Sequence, residues 1–240
     1  NKSWNKKKTF YNFTYQNYVE FLPSEYTADG QWNNTGGYTD VYKDTATGKL
    51  YGLLPENIIE TYDGGDQYSN PSTRDQKVKE NQTAAALTGF ALLSDAEIAA
   101  SALPRNPVCS WCAKNGFDDN HHADIKFFYR RRYYSLNFIN NNIKEPHERT
   151  RNIYYQMNIN TVGIRGNWVY YEPEYPDEDM RDYYYFDGWY FDAHHMRKIP
   201  VIENDPAYDG RTHFNSDFTM PPDDITLYAK WVLVQENISF

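Results

Sequence analysis

Cysteine is almost missing from this sequence, with two in 240 residues. That excludes the disulfide-dense framework that staples small secreted domains. No apolar run reaches the roughly 18 residues that a transmembrane helix needs, so no membrane insertion is expected. Positive charge is in deficit: 24 Lys and Arg stand against 33 Asp and Glu, a formal net charge of −9. Phosphate backbones reward positive charge, so no nucleic-acid partner is expected. The signatures of common catalytic sites are missing as well. There is no Walker loop, no Gly-x-Gly-x-x-Gly, no Gly-x-Ser-x-Gly elbow and no His-Glu-x-x-His. The sequence opens on Asn1 with no visible signal peptide, as expected of an excised fragment or a processed product.

Aromatic residues, by contrast, are abundant. They make up 18% of the chain, with 23 Tyr, 13 Phe and 6 Trp, inside a hydrophobic share of 40%. Such a load argues against disorder. It suits sheets, where rings and β-branched side chains pack across strands. Strands are expected at Thr9–Tyr15, Tyr18–Leu22, Ala123–Phe128, Tyr134–Ile139, Ile153–Met157, Trp168–Tyr171, Tyr183–Phe186, Trp189–Phe191 and Ile225–Trp231. In two of these the alternation is clean. Tyr134, Leu136 and Phe138 point one way, and so do Ile225, Leu227, Ala229 and Trp231. Asp40–Asp44 and Lys49–Leu54 flank Thr45-Ala-Thr-Gly48, which reads as a hairpin with Gly48 left-handed. One helix is expected: Ser94 and Glu97 form a capping-box pattern ahead of Asp95–Ala102, and Pro104 stops it. The polar stretch Tyr62–Lys79 reads as a long loop or seam. A boundary is placed near Arg132-Tyr133. The expected organisation is a β-rich module over 1–132, with one short helix and a Cys-x-x-Cys loop, and a second module over 133–240.

The second module carries Tyr134-Ser-Leu-Asn-Phe138, then Tyr185-Phe-Asp-Gly-Trp-Tyr-Phe-Asp192. It closes on Phe218-Thr-Met-Pro-Pro-Asp-Asp-Ile-Thr-Leu-Tyr-Ala-Lys-Trp231. In combination these segments resemble the bacterial surface repeat known as the Listeria–Bacteroides repeat or internalin B-repeat. The resemblance covers roughly 133–232, with long insertions after Phe138 and over Ala193–Asn215. It implies a mainly β fold with a minor helix, built as tandem β-grasp-like modules. In the first module, Ile125–Arg132 and the hairpin at Val41–Tyr51 resemble mucin-binding-protein-type surface modules. Within the segment that resembles the internalin B-repeat, Gly188 is expected to turn the chain between Tyr185-Phe186 and Trp189, and the matched aromatics to divide between the core and a packed sheet face.

The residues that hold most chemistry are Cys109 and Cys112 in Cys109-Ser-Trp-Cys112, followed by His121 and His122. Two thiolates and one or two imidazoles are a donor set for structural zinc in tetrahedral geometry. The same two cysteines equally suit a disulfide or a free thiol pair. No other cofactor is expected. A second group, Asp192, His194, His195, His213 and Asp217, lies around the longer insertion. The acids Glu172, Glu174, Asp177, Glu178, Asp179 and Asp182 read as a solvated loop, without an EF-hand pattern. Asp63, Asp66 and Asp75 read the same way.

Taken with the resemblance, these features lead to the expectation of a non-enzymatic module. Its parent is a wall-anchored or secreted protein at a Gram-positive cell surface. The leading role is spacer or stalk, with neighbouring modules of the same chain as partners. The alternatives are an adhesin-like domain that binds a host extracellular protein or glycan, and an accessory domain of a secreted enzyme.

Overall fold

The computed structural model describes residues 8–25, 37–55, 58–66, 84–106, 122–140, 147–159, 170, 172–173, 175, 182–215 and 217–234. They form a mainly β fold with one minor helix and a partly curled sheet. Among them, no helix is long and apolar enough to cross a membrane. The backbone divides into two compact units, Asn1–Arg131 and Arg132–Phe240.

In unit 1 the aromatic alternation expected as two strands runs on as one, β1 (Lys8–Glu20). The polar pair Gln16-Asn17 does not break it. Asn17 is buried, and its Oδ1 accepts from the Tyr129 hydroxyl at 3.2 Å, so a distant strand satisfies it. The remaining strands are β2 (Val41–Lys43), β3 (Leu50–Leu53), β4 (Ile58–Asp66), β5 (Phe90–Leu92) and β6 (His122–Arg131). The sheet order is β2-β3-β1-β6-β5, and β4 also pairs with β1. β1 and β6 lie side by side in parallel, from Asn12 opposite His122 to Val19 opposite Tyr129. Every other pairing in this sheet is antiparallel.

Both faces of the central pair are covered, as is usual for parallel strands. Tyr15, Val19, Ile125, Phe127 and Tyr129 make one cluster, with Leu87 and Phe90 against it. Tyr18, Tyr51, Leu53, Leu103 and Phe128 make another on the opposite face. The helix α1 (Asp95–Ala100) brings Ile98 to this second cluster. Its N-terminus is the capping box read from Ser94 and Glu97.

The hairpin between β2 and β3 forms as the sequence indicates, with Gly48 at φ +75°. Asp44 organises its loop, accepting from the Ala46 amide at 2.9 Å and from the Thr47 hydroxyl at 2.5 Å. The stretch read as a polar loop from Tyr62 is strand as far as Asp66, because Lys8–Tyr15 offers it an antiparallel edge. Residues 67–79 lie outside the described residues.

A close approach fixes Gly52. A Cβ there would stand 2.2 Å from Cγ of Tyr38, whose ring also stacks on Phe21 at 4.8 Å. Gly52→Ala is expected to cost about 1–3 kcal/mol by overpacking. Denaturant melting measures it, and the cost should largely disappear in a Tyr38→Ala background, where the ring is gone.

Unit 2 contains β7 (Tyr133–Asn140), β8 (His147–Tyr154), β9 (Tyr184–Tyr190), β10 (Val201–Asp205), β11 (Arg211–Phe214) and β12 (Ile225–Leu233). The four-stranded sheet has the order β8-β7-β12-β9. β7 and β12 are parallel, from Leu136 opposite Ile225 to Ile139 opposite Tyr228, and the outer pairings are antiparallel. The alternation read in β7 holds: Leu136 and Phe138 are fully buried. β10 and β11 form a separate hairpin inside the insertion at Ala193–Asn215. That insertion helps to build the core. Ile199 and Phe214 are fully buried, and Phe214 stacks on Phe138 at 6.3 Å.

Two strands expected around a turn at Gly188 are a single strand, β9, with a bulge. Gly188 pairs with Lys230 and Phe186 with Trp231, leaving Asp187 as the extra residue. In a regular strand Phe186 and Trp189 would face opposite ways, being three residues apart. The bulge returns both to the core face, and their rings meet edge to face at 5.5 Å. Gly188 holds φ +145°, which side chains rarely adopt.

Candidate functional site

A cluster of charged groups grows out of this bulge. Asp187, displaced from the ladder, takes a 2.8 Å ion pair from Lys198 Nζ and a longer one, 3.6 Å, from Lys230 Nζ. The Tyr190 hydroxyl donates to its other oxygen. Gly188 makes the Lys198 contact possible, since a Cβ there would stand 2.7 Å from Lys198 Cε. Lys230 also lies over the Tyr190 ring, 5.2 Å from its centroid. Burial would raise the Asp187 carboxyl, but the Lys198 and Tyr190 hydrogen bonds and the two ammonium groups hold it below its ordinary value. Burial and the neighbouring carboxylate push the Tyr190 hydroxyl up to about 12. The phenol therefore stays a donor, and Asp187 stays an acceptor with both oxygens engaged.

Beside it, Asp192 folds the turn after β9. Its carboxylate accepts from the Met196 amide at 3.1 and 3.2 Å, from Arg197 N at 2.9 Å and from His194 N at 3.1 Å. These backbone donors, Met196 first, hold its carboxyl below the ordinary range. His195 takes φ +56° in this turn, and its Nε2 lies 3.1 Å from the Ala229 carbonyl. Further along, His213 is buried on β11. Its Nε2 lies 3.0 Å from Asp205 Oδ2 and its Nδ1 lies 3.0 Å from the Phe214 carbonyl. Asp205 is held below its ordinary value by His213 and by the Ala207 amide.

The residues named from sequence are thus distributed among structural tasks. Asp192 caps a turn, His195 meets a strand carbonyl, and His213 pairs with Asp205. Among the described residues, no group of three or more His, Cys, Asp or Glu is placed to hold a metal ion. Cys109, Cys112 and His121 lie outside the described residues. His122 opens β6 opposite Asn12, and its side chain is not among those described. Of the acids, Glu172 and Asp182 are exposed, and Glu174, Asp177, Glu178, Asp179 and Asp75 lie outside the described residues.

Sequence reading missed Lys198, Lys230 and Asp205 as partners of the named residues. The signal that could have found the hairpin bringing Asp205 to His213 is Asp209-Gly210, a turn dipeptide that was not read.

The acidic groups make a pH prediction. Asp44, Asp187, Asp192, Asp205 and Glu97 all titrate below their ordinary values in the folded chain. In the unfolded chain they bind protons first, so their contribution is present above the ordinary carboxyl range and is lost as pH falls through the lowered values. Stability should therefore fall from about pH 6 to about pH 3, read as the urea midpoint, and Asp187→Asn should flatten that fall.

No protein-family model matches the chain, and no curated protein matches it.

Proposed function

We propose that the chain is a non-catalytic module of a Gram-positive cell-surface protein and acts as a spacer. The observation that carries this reading is the strand plan common to both units. In each, the first strand lies parallel to the last at the centre of the sheet, β1 with β6 and β7 with β12. The chain therefore enters each unit at one end of its sheet and leaves at the other. Counting along the registers, the strand ends stand about 40 Å apart in unit 1 and about 35 Å in unit 2. A unit of this kind adds its strand length to the parent protein. The plan also supports the finer fold assignment to tandem β-grasp-like modules. The polar groups point the same way: Asp187, Asp192, Asp205 and His213 are engaged with partners inside unit 2.

A second reading, an adhesin-like domain for a host protein or glycan, is favoured by one corner of unit 2. Tyr183, Tyr185, Leu233 and Val234 are exposed there, where β9 and β12 end together. Rigid rings of this kind suit recognition. The full chain should be screened at physiological salt against a glycan array and a panel of host extracellular proteins. The spacer reading expects no saturable binding. A specific hit that is lost in Tyr183→Ala/Tyr185→Ala would replace it with the adhesin reading.

A further inference from the structure

We propose that the parallel seam in each unit is a clamp that resists pulling force, bolted by a buried polar side chain at the last residue of the first strand. This inference rests on the spacer reading and gives it a mechanical content. A pull on the chain acts on the start of the first strand and the end of the last. Because those strands are parallel, the force runs along the seam. It loads all the evenly spaced ladder bonds together. A pull applied at one end of the same two strands would open them one bond at a time.

The two units fasten this seam in corresponding ways. β1 ends on Glu20 and β7 ends on Asn140, both buried and both polar. Glu20 Oε2 accepts from the Arg131 amide at 3.0 Å, and the Glu20 carbonyl accepts from Arg131 Nε at 2.7 Å. Asn140 Oδ1 accepts from Trp231 Nε1 at 2.7 Å. Each bond joins the last residue of the first strand to the far part of the last strand. At the opposite end of the unit 2 seam, Asp224 Oδ1 accepts from the Ser135 amide at 2.7 Å. In unit 1, the Tyr129–Asn17 bond adds a tie between the same two strands. A buried amide or carboxylate is costly unless bonded, so these positions are strongly committed to their partners.

The test is single-molecule pulling of the full chain with bio-orthogonal handles. Handles at Tyr133 and Leu233, both exposed, load the unit 2 seam in shear. Handles at Tyr133 and Asp223 load the same strands from one end. Forced unfolding reports the barrier to unfolding. The shear geometry should need a several-fold higher force at equal loading rate. Equal forces, or a weaker shear geometry, would overturn the clamp and leave the spacer reading standing. Ligand binding in the screen above would remove the spacer reading without altering the force ratio.

Pulled from its two ends, the chain should give way in unit 2 first. Its parallel register, Leu136–Ile139, is shorter than the Asn12–Val19 register of unit 1. The first step should lengthen the chain by about 320 Å and the second by about 390 Å, at nearly 3.5 Å per extended residue. The reverse order overturns the seam as the determinant. Asn140→Ala should lower the shear force of unit 2. Where that variant does not fold, Asp224→Ala tests the seam from its exposed end, and an unchanged force in it overturns the role assigned to the ties.

Discussion

Replacing Glu20 by alanine is expected to destabilise unit 1 by about 1–3 kcal/mol, the range for leaving a buried donor without its acceptor. Glu20 is only 4% exposed, and so is Arg131. The carboxylate pairs with Lys49 Nζ at 2.8 Å and accepts the Arg131 amide. The Arg131 guanidinium lies over the Phe90 ring, 5.0 Å from its centroid, and reaches the Tyr38 hydroxyl at 3.5 Å. Glu20→Ala leaves the Arg131 amide without its acceptor beside a void, while the guanidinium keeps the carbonyl of residue 20. Two controls separate the causes. Lys49→Ala should cost about 0–1 kcal/mol, since the Lys49 side chain is 40% exposed and its ion pair is screened by water. Glu20→Gln keeps the acceptor and the volume, so it should lie between the two. Urea melts of the full chain, with hydrogen exchange assigning the loss to β1 and β6, read all three. A Glu20→Ala cost no larger than that of Lys49→Ala would mean that the network is solvated.

The sequence signals that translated into structure were local. The capping box needs only Ser94 and Glu97, and the β2–β3 hairpin needs only Asp44 to Gly48. β7 and β12 were legible because one face of each meets the core and the other does not. What stayed hidden depends on residues far apart in the chain. Asn17 reads as a strand breaker until Tyr129, 112 positions later, supplies its hydrogen bond. Nothing near Asp187 in the chain marks its partners, and Lys198 and Lys230 converge on it only in the fold. The bulge was hidden for another reason. Gly188 signals an unusual backbone, and a turn and a bulge both satisfy that signal. The three-residue spacing of Phe186 and Trp189 distinguishes them, because only a bulge puts both rings in one core. The candidate zinc set was legible as chemistry alone: Cys109, Cys112 and His121 lie outside the described residues, and His122 opens β6.

That bulge helps to seat Trp189 in the core of unit 2. Trp189→Ala is expected to cost about 3–5 kcal/mol, as large aromatic truncations in cores do. The residue is fully buried, with Phe138 edge to face at 4.8 Å and Phe186 at 5.5 Å. Its carbonyl also takes the Ile199 amide at 2.9 Å, which ties the segment after the Asp192 turn to β9. The void would therefore open where the sheet, the turn and the Phe214 hairpin meet. Trp189→Phe keeps a ring against Phe138 and should recover more than half of the loss.

Deleting Asp187 asks the same question of the backbone. Without the extra residue, Phe186 stands two positions from Trp189 and, with the register kept, still opposite Trp231, so both rings keep the core face. Tyr185, 49% exposed, stays opposite Val232. What the deletion removes is the carboxylate that neutralises Lys198 and Lys230. It should therefore cost about as much as Asp187→Ala and far less than Trp189→Ala, read as urea midpoints. A loss from the deletion well above that from Asp187→Ala would mean that the bulged backbone, and not the carboxylate alone, is what the extra residue provides.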